Sequence, residues 1–268
     1  MNKLNWTSWF EKTKRIVWAL FFLTLPVTSF PFFPSDLGGK TLVQPLVIYP
    51  LVVLLVLVTI PRMFSRPLPK TFLPILAFVV IAIISSFAAF ASGIEPLLGV
   101  TMESRFIRNL ATLGLGMAIY ITTTLLPEDW DDMKFSLRWL YAGFVIALLW
   151  GTFQAIYIVH YSPSYFNLLE ELQSFVSTRK LFPTRISGLT YEPKWFAEQI
   201  VFLLSPWLLG AILSRRSIFK WHYKWISVEA ILLAWATFVL IFTYSRSGFL
   251  IFTVLAVLSY LISYFSAM

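Results

Sequence analysis

The chain is predicted to be an all-α, polytopic transmembrane helical bundle, a single membrane domain covering residues 1–268. Three observations predict it. Hydrophobic residues make up 58% of the sequence and charged residues 13%, whereas soluble globular chains carry about 25% charged residues. The apolar residues run continuously, in stretches near the ~20 residues that cross about 30 Å of hydrocarbon, and not in the short alternating segments of a β-barrel. Finally, 26 Phe, 11 Trp and 11 Tyr suit lipid-facing surfaces and interfacial belts.

Other classes are excluded or disfavoured by composition. The net charge of +8 sits in short connections between apolar runs, a pattern that fits loop bias across a membrane better than nucleic-acid binding. With no cysteine there is neither disulfide nor thiolate chemistry. Two histidines are too few for a multi-histidine metal site.

In chain order, Lys3, Lys12, Lys14 and Arg15 precede the apolar run of the first span, the charge order of a signal sequence. No small-residue cleavage site follows, so a retained anchor is expected. The predicted spans are about 16–33, 44–60, 71–91, 106–126, 138–159, 194–213, 225–243 and 248–266, eight in all. With the N-terminus inside, thirteen of the 21 basic residues fall in inner segments. They are Lys3, Lys12, Lys14 and Arg15; Arg62, Arg66 and Lys70; Lys134 and Arg138; and Arg215, Arg216, Lys220 and Lys224. Lys40, Arg105, Arg108, Arg179, Lys180, Arg185, Lys194 and Arg246 remain for the other side. That bias predicts a cytoplasmic N-terminus, and it places the long 161–193 connection and Arg246 outside.

Two stretches carry the chemistry. The first is Thr243-Tyr244-Ser245-Arg246-Ser247-Gly248, a polar break between the apolar runs Trp225–Phe242 and Phe249–Phe265. Charge beside hydrocarbon is costly, and Arg246 flanked by Ser245 and Ser247 suits a phosphate or carboxylate at the membrane edge. It equally suits an interfacial turn whose arginine reaches lipid headgroups. The second runs from Arg185 through Gly188-Leu189-Thr190-Tyr191-Glu192-Pro193-Lys194 to Ala197. Pro193 fits the first position of span six, whose N-terminus with Arg185 upstream would make an anion site. Thr190 and Glu192 can alternatively serve as cap and first-turn acid. Arg105 and Arg108, three apart on one helix face, fit either a share in an anion pocket or a helix-end anchor. Pro206 is expected to kink span six, with no counterpart elsewhere.

Arg185…Gly188-Leu189-Thr190-Tyr191-Glu192-Pro193…Phe196-Ala197, followed by Ser245-Arg246-Ser247-Gly248, resembles the O-antigen ligase and O-antigen polymerase family of bacterial envelope glycosyltransferases. The resemblance implies a GT-C-like membrane fold in the bacterial cytoplasmic membrane. It also implies metal-free transfer of a glycan from an undecaprenyl-pyrophosphate carrier to a glycan or lipid acceptor on the outer face. Neither nucleotide sugar nor cofactor is expected.

By the same resemblance Arg185 and Arg246 would hold the donor pyrophosphate, with Ser245, Ser247, Arg105, Arg108 and Lys194 as further candidates. Family members continue through a large histidine-bearing loop, so the chain is expected to be an N-terminal portion. Glu192 is then the local candidate base, ahead of Glu198, Glu170, Glu171 and His160. Tyr191 and Trp195 fit either sugar stacking or an interfacial belt. Two alternatives remain: a transporter or flippase of an anionic lipid or solute, and a non-catalytic carrier-binding relative.

Overall fold

A computed structural model describes residues 3–32, 44–93, 101–219, 221–223 and 226–267. Lys40, Lys220 and Lys224, together with the predicted span ends at Phe33 and Trp225, lie outside them. The described residues are helical almost throughout. The helices are α1 (Lys3–Thr24), α2 (Ile48–Ser65), α3 (Phe72–Ala91), α4 (Met102–Leu125), α5 (Trp130–Val159), α6 (Pro163–Val176), α7 (Pro193–Leu213), α8 (Val228–Phe242) and α9 (Arg246–Ala267). A two-stranded antiparallel hairpin, β1 (His222–Tyr223) with β2 (Ile226–Ser227), pairs His222 with Ser227 just ahead of α8.

This is the architecture of a helical membrane protein. Five helices, α2, α3, α5, α7 and α9, are long and apolar enough to cross a bilayer. Every predicted span contains a helix, but the others differ in instructive ways. α1 stops at Thr24, because Pro26 cannot donate to the helix ladder and biases its predecessor away from helical geometry. α4 carries Glu103, Arg105 and Arg108 in its first two turns, and α8 has only 15 residues. The 161–193 connection, expected to be a loop, holds α6, whose Leu169 and Gln173 are buried while Leu168, Leu172 and Phe175 are exposed.

Pro206 does have a counterpart. α2 and α7 each contain a five-residue π-helical segment, Leu55–Thr59 and Ile200–Leu204, and each segment is followed two residues later by a proline, Pro61 or Pro206. The proline supplies the occasion: it has no N–H and its ring clashes with the carbonyl one turn back, so a helix that continues through it can widen its ladder by a residue. Ile60 N–H accordingly donates to Leu55 C=O and Ser205 N–H to Ile200 C=O. The Ser205 hydroxyl also donates to Ile200 C=O at 2.8 Å.

The chain forms two compact units. One is built from described residues up to 21 and from 47–133; the other from 22–32, 44–46 and 134–267. In the first, α2 is tied to the C-terminal end of α4. Thr59 and Thr122, both fully buried, hydrogen-bond at 3.1 Å, and Arg62 donates to the Leu125 and Leu126 carbonyls at 2.7 and 2.9 Å. Those carbonyls have no intrahelical partner and carry the negative end of the helix dipole, so a guanidinium there satisfies both demands. Arg62 and Arg66 also pair with Glu128. α3 buries no residue, as suits a helix surrounded by hydrocarbon.

In the second unit, residues 25–32 form a non-helical strap. Its backbone bonds with 44–46 (Phe30 N–H to Gln44 C=O, 2.9 Å; Gln44 N–H to Thr28 C=O, 2.9 Å; Leu46 N–H to Val27 C=O, 3.0 Å). It also bonds with Thr178 and Leu189. The core of this unit centres on Phe144, Leu148, Tyr157, Phe196, Ile200 and Leu204, all essentially inaccessible.

Burial alone would raise the Glu128 pKa, but the Arg66 hydrogen bond and the charges of Arg62, Arg66 and Lys14 outweigh it and hold the group below its ordinary 4.5. A carboxylate lowered in the folded state stabilises at pH above its unfolded value, and that stability disappears as pH falls through the folded value. Glu128 is 45% exposed, so water screens the pair and its worth is within roughly 1 kcal/mol. Purified protein should therefore lose thermal stability below about pH 4.5 by an increment that Glu128→Gln lacks. Parallel acid melting curves for the two proteins would contradict the ion-pair role.

Candidate functional site

The two sequence stretches converge in the second unit. Ile186 N–H, adjacent to Arg185, donates to the Phe242 carbonyl at the end of α8 at 3.0 Å. Four residues beyond Phe242, Arg246 opens α9. A Cβ placed on Gly248 would lie 2.7 Å from Ala197 Cβ, so only glycine allows α9 to lie this close to α7. Gly188 is constrained twice: its φ is +57°, and an added Cβ would strike the buried Phe196 ring at 2.6 Å.

Buried amides hold the connecting segment. Gln154, in the C-terminal part of α5 and 1% exposed, accepts through Oε1 from Ser187 N–H (3.0 Å) and Gly188 N–H (2.9 Å). Its Nε2 donates to Gly188 C=O and to Gln173 Oε1, each at 3.3 Å. Gln173 Oε1 also accepts from Trp150 Nε1 at 2.7 Å, while Gln173 Nε2 donates to Arg179 C=O at 3.2 Å. Each amide thus satisfies loop groups that would otherwise be buried without partners, at about 1–3 kcal/mol apiece. From the other side the strap contributes Ser29, whose hydroxyl meets Ser177 Oγ at 2.6 Å, and Thr28, whose hydroxyl accepts from Tyr191 N–H at 3.4 Å.

The expected site residues are not equivalent. Arg246 and Arg185 are exposed, and among the described residues neither guanidinium has a hydrogen-bond acceptor; Arg185 lies 6.0 Å from the Phe182 ring centroid. Ser245 is spent on the turn: its hydroxyl caps α9 by accepting from Gly248 N–H at 3.2 Å, and Ser247 Oγ is 3.3 Å from it. Lys194 pairs with Glu198 at 3.7 Å. Glu192 occupies the cap position of α7 but its side chain makes no cap bond, so it can act on the helix start only through the dipole. Thr190 does not cap either, since its hydroxyl sits 2.8 Å from both the Ser187 and Glu192 carbonyls. His160 is exposed at the end of α5, and Glu170 and Glu171 lie on α6. Arg105 and Arg108 are half-buried on α4 in the first unit, where Arg108 Nε is shut from solvent without a partner.

The sequence reading missed Gln154, Gln173 and Arg179. A lone amide within the 138–159 apolar run was the available signal for Gln154. Arg179 carried no such signal. Its guanidinium lies 4.9 Å from the Phe182 centroid and 5.0 Å from that of Tyr191, which itself packs 5.7 Å from Trp195.

Beside this cationic and aromatic cluster is an apolar groove of about 480 Å³ between α5 and α6, lined by Val27, Phe30, Ile146, Phe153, Leu172 and Leu189 among others. Leu189 belongs to the motif segment and the groove alike. Another groove, of about 570 Å³ between α3 and α4, has no charged residue in its described lining. The second unit thus offers unspent guanidinium groups and an apolar channel that share one loop, an arrangement suited to an amphiphilic anion.

Gln154→Leu keeps the volume and removes the amide, leaving two N–H groups and a carbonyl of the loop without partners. It should cost about 3 kcal/mol of stability. Gly188→Ala, which forces both a left-handed alanine and a clash with Phe196, should cost about 2–4 kcal/mol. Thermal unfolding in detergent measures both, and losses under about 1 kcal/mol would mean that the loop is held by other contacts.

No protein-family model, curated protein or solved structure matches this chain.

Proposed function

We propose that the protein transfers a glycan from an undecaprenyl-pyrophosphate carrier to a glycan or lipid acceptor at the outer face of a bacterial cytoplasmic membrane. Its membrane bundle, in this reading, is of the GT-C-like kind with eight crossings. The observation that carries it is the convergence of the two motif stretches through the Ile186–Phe242 hydrogen bond and the Gly248–Ala197 contact. Residues far apart in the chain thereby present Arg185 and Arg246 from one packed assembly.

The chemistry follows from those groups. In transfer, the bond between the anomeric carbon and the pyrophosphate oxygen breaks and its electron pair stays on the pyrophosphate. Guanidinium groups aimed at that oxygen gain most where the charge develops, so they stabilise the transition state more than the ground state. The acceptor hydroxyl forms the new bond to the anomeric carbon, and its proton passes to the Glu192 carboxylate, which makes no cap bond. The apolar groove beside Leu189 accommodates the carrier's hydrocarbon. Tyr191 and Trp195, with rings 5.7 Å apart, offer faces to a sugar.

A different observation favours a second reading. Interrupted helices are a frequent feature of transporters, and α2 and α7 carry the same π-then-proline interruption, one in each unit. In that reading the cations bind an anionic lipid or solute for translocation.

Proteoliposomes loaded with carrier-linked glycan and acceptor separate the two. Transfer is expected to release undecaprenyl pyrophosphate, with Arg185→Ala and Arg246→Ala each lowering turnover by about 10²-fold or more. Arg→Lys should recover little of it, because lysine lacks the planar fork. Glu192→Gln should lower turnover by about 10²–10⁴ while carrier binding survives. Movement of carrier across the bilayer with no glycan transferred would instead establish the transport reading.

Cysteine introduced at the exposed neighbouring positions Thr184 or Tyr244 of this cysteine-free chain tests the sidedness. An impermeant thiol reagent should label both positions in whole cells. Labelling of either only after lysis would remove the outer-face chemistry.

A further inference from the structure

Arg179 is half-buried in the second unit, and among the described residues no carboxylate pairs with its charge. Its backbone is pinned at both ends. Arg179 N–H donates to Ser177 Oγ at 3.0 Å, and its carbonyl accepts from Gln173 Nε2 at 3.2 Å. Both anchors are buried, Ser177 at 3% and Gln173 at 1% exposure. The side chain is then fixed by two rings, Phe182 and Tyr191, at 4.9 and 5.0 Å from the guanidinium carbon. A contact between a guanidinium and a ring face consumes no N–H···O bond, so the N–H donors remain for an oxyanion. Among the described residues no carboxylate or carbonyl accepts from those donors. Arg185 shares the Phe182 ring, at 6.0 Å.

A flexible surface arginine loses side-chain entropy when it clamps a ligand, and a stacked one has lost much of it already. Such an arginine recognises a planar or tetrahedral oxyanion through paired N–H···O bonds. We infer that Arg179, held against the Phe182 and Tyr191 rings and acting beside Arg185, is a preorganised clamp for a phosphate-type oxyanion. This deepens the pyrophosphate reading of the same loop by adding a cation outside both motif stretches. The oxyanion comes either from a soluble or carrier-borne pyrophosphate or from a phospholipid headgroup. The two sources share the chemistry and differ in how they reach the site.

The test uses the full chain in detergent, titrated with inorganic pyrophosphate by calorimetry, and the same chain in phosphatidylcholine nanodiscs with and without phosphatidic acid. Arg179→Gln should weaken pyrophosphate binding about tenfold, and Arg179→Lys should restore less than half of that loss on a logarithmic scale. Phe182→Leu and Tyr191→Leu, which leave the charge and remove the stack, should each weaken binding by about threefold or more. Loss of pyrophosphate binding when phosphatidic acid is present identifies the headgroup as the occupant. Undiminished binding identifies the pyrophosphate, and either result supports the clamp.

A weakening below about threefold in Arg179→Gln, or full affinity in Arg179→Lys, overturns it. Should Arg179→Gln fail to fold, Arg179→Lys and the two ring variants decide the matter alone. The transferase reading is tested separately by turnover. Sensitivity at Arg179 with no turnover leaves a phosphate site without that chemistry, whereas turnover that ignores Arg179 leaves the chemistry without this clamp.

Discussion

The second unit depends on one side chain, the Gln154 carboxamide. It is set in the C-terminal part of α5 and satisfies two backbone N–H groups and one carbonyl of the 187–188 turn. A turn with a left-handed glycine, buried against Phe196, has no helix or sheet to supply those bonds, and water is excluded there. Without the amide, the segment from Ser177 to Glu192 would have to swing out to find solvent. Its Ile186–Phe242 bond and the packing of Gly188 on Phe196 would then be lost as well.

The same economy recurs wherever the chain leaves helical geometry. The strap at 25–32, released from α1 by Pro26, finds its backbone partners in 44–46, Thr178 and Leu189. Its serine is buried completely and meets Ser177. In the first unit Arg62 plays the corresponding part for the end of α4, where the carbonyls of Leu125 and Leu126 are spoken for by a guanidinium from α2. In a chain this apolar, irregular backbone persists only where protein groups replace the water it lacks. The strap and the end of α4 are each locked to a partner remote in sequence.

This locking bears on chemistry. An anion site gains from cations that are already placed, since reorganisation then costs little when ligand binds or charge develops. Arg179 acquires that placement from two rings and two buried polar anchors, whereas Arg185 and Arg246 acquire theirs from the backbone junction between the loop and the α8–α9 turn. Ser245 and Lys194, candidates by composition, are occupied by a helix cap and an ion pair. Residue type alone does not distinguish a cation or hydroxyl that is free to act from one that is already engaged.

What the amino-acid sequence determined by itself is what depends on short range or on solvent. Long apolar runs specified membrane helices, because hydrocarbon rejects any backbone group that is not internally bonded. Pro193 marked the start of α7, and Gly188 and Gly248 marked places where a side chain would not fit. The two motif stretches were visible, as were Arg185, Arg246 and Glu192 within them.

Only the tertiary structure decided which of these act together. Pairing Ile186 with Phe242, seating Gln154 under Gly188, and stacking Arg179 on Phe182 and Tyr191 each join residues whose sequence separation carries no periodic signal. The matching π segments of α2 and α7 also emerged there, although their prolines stood in plain view. Whether a proline ends a helix, as Pro26 does for α1, or widens it, as Pro61 and Pro206 do, depends on which neighbours satisfy the released carbonyls. That is a property of packing, and local sequence does not contain it.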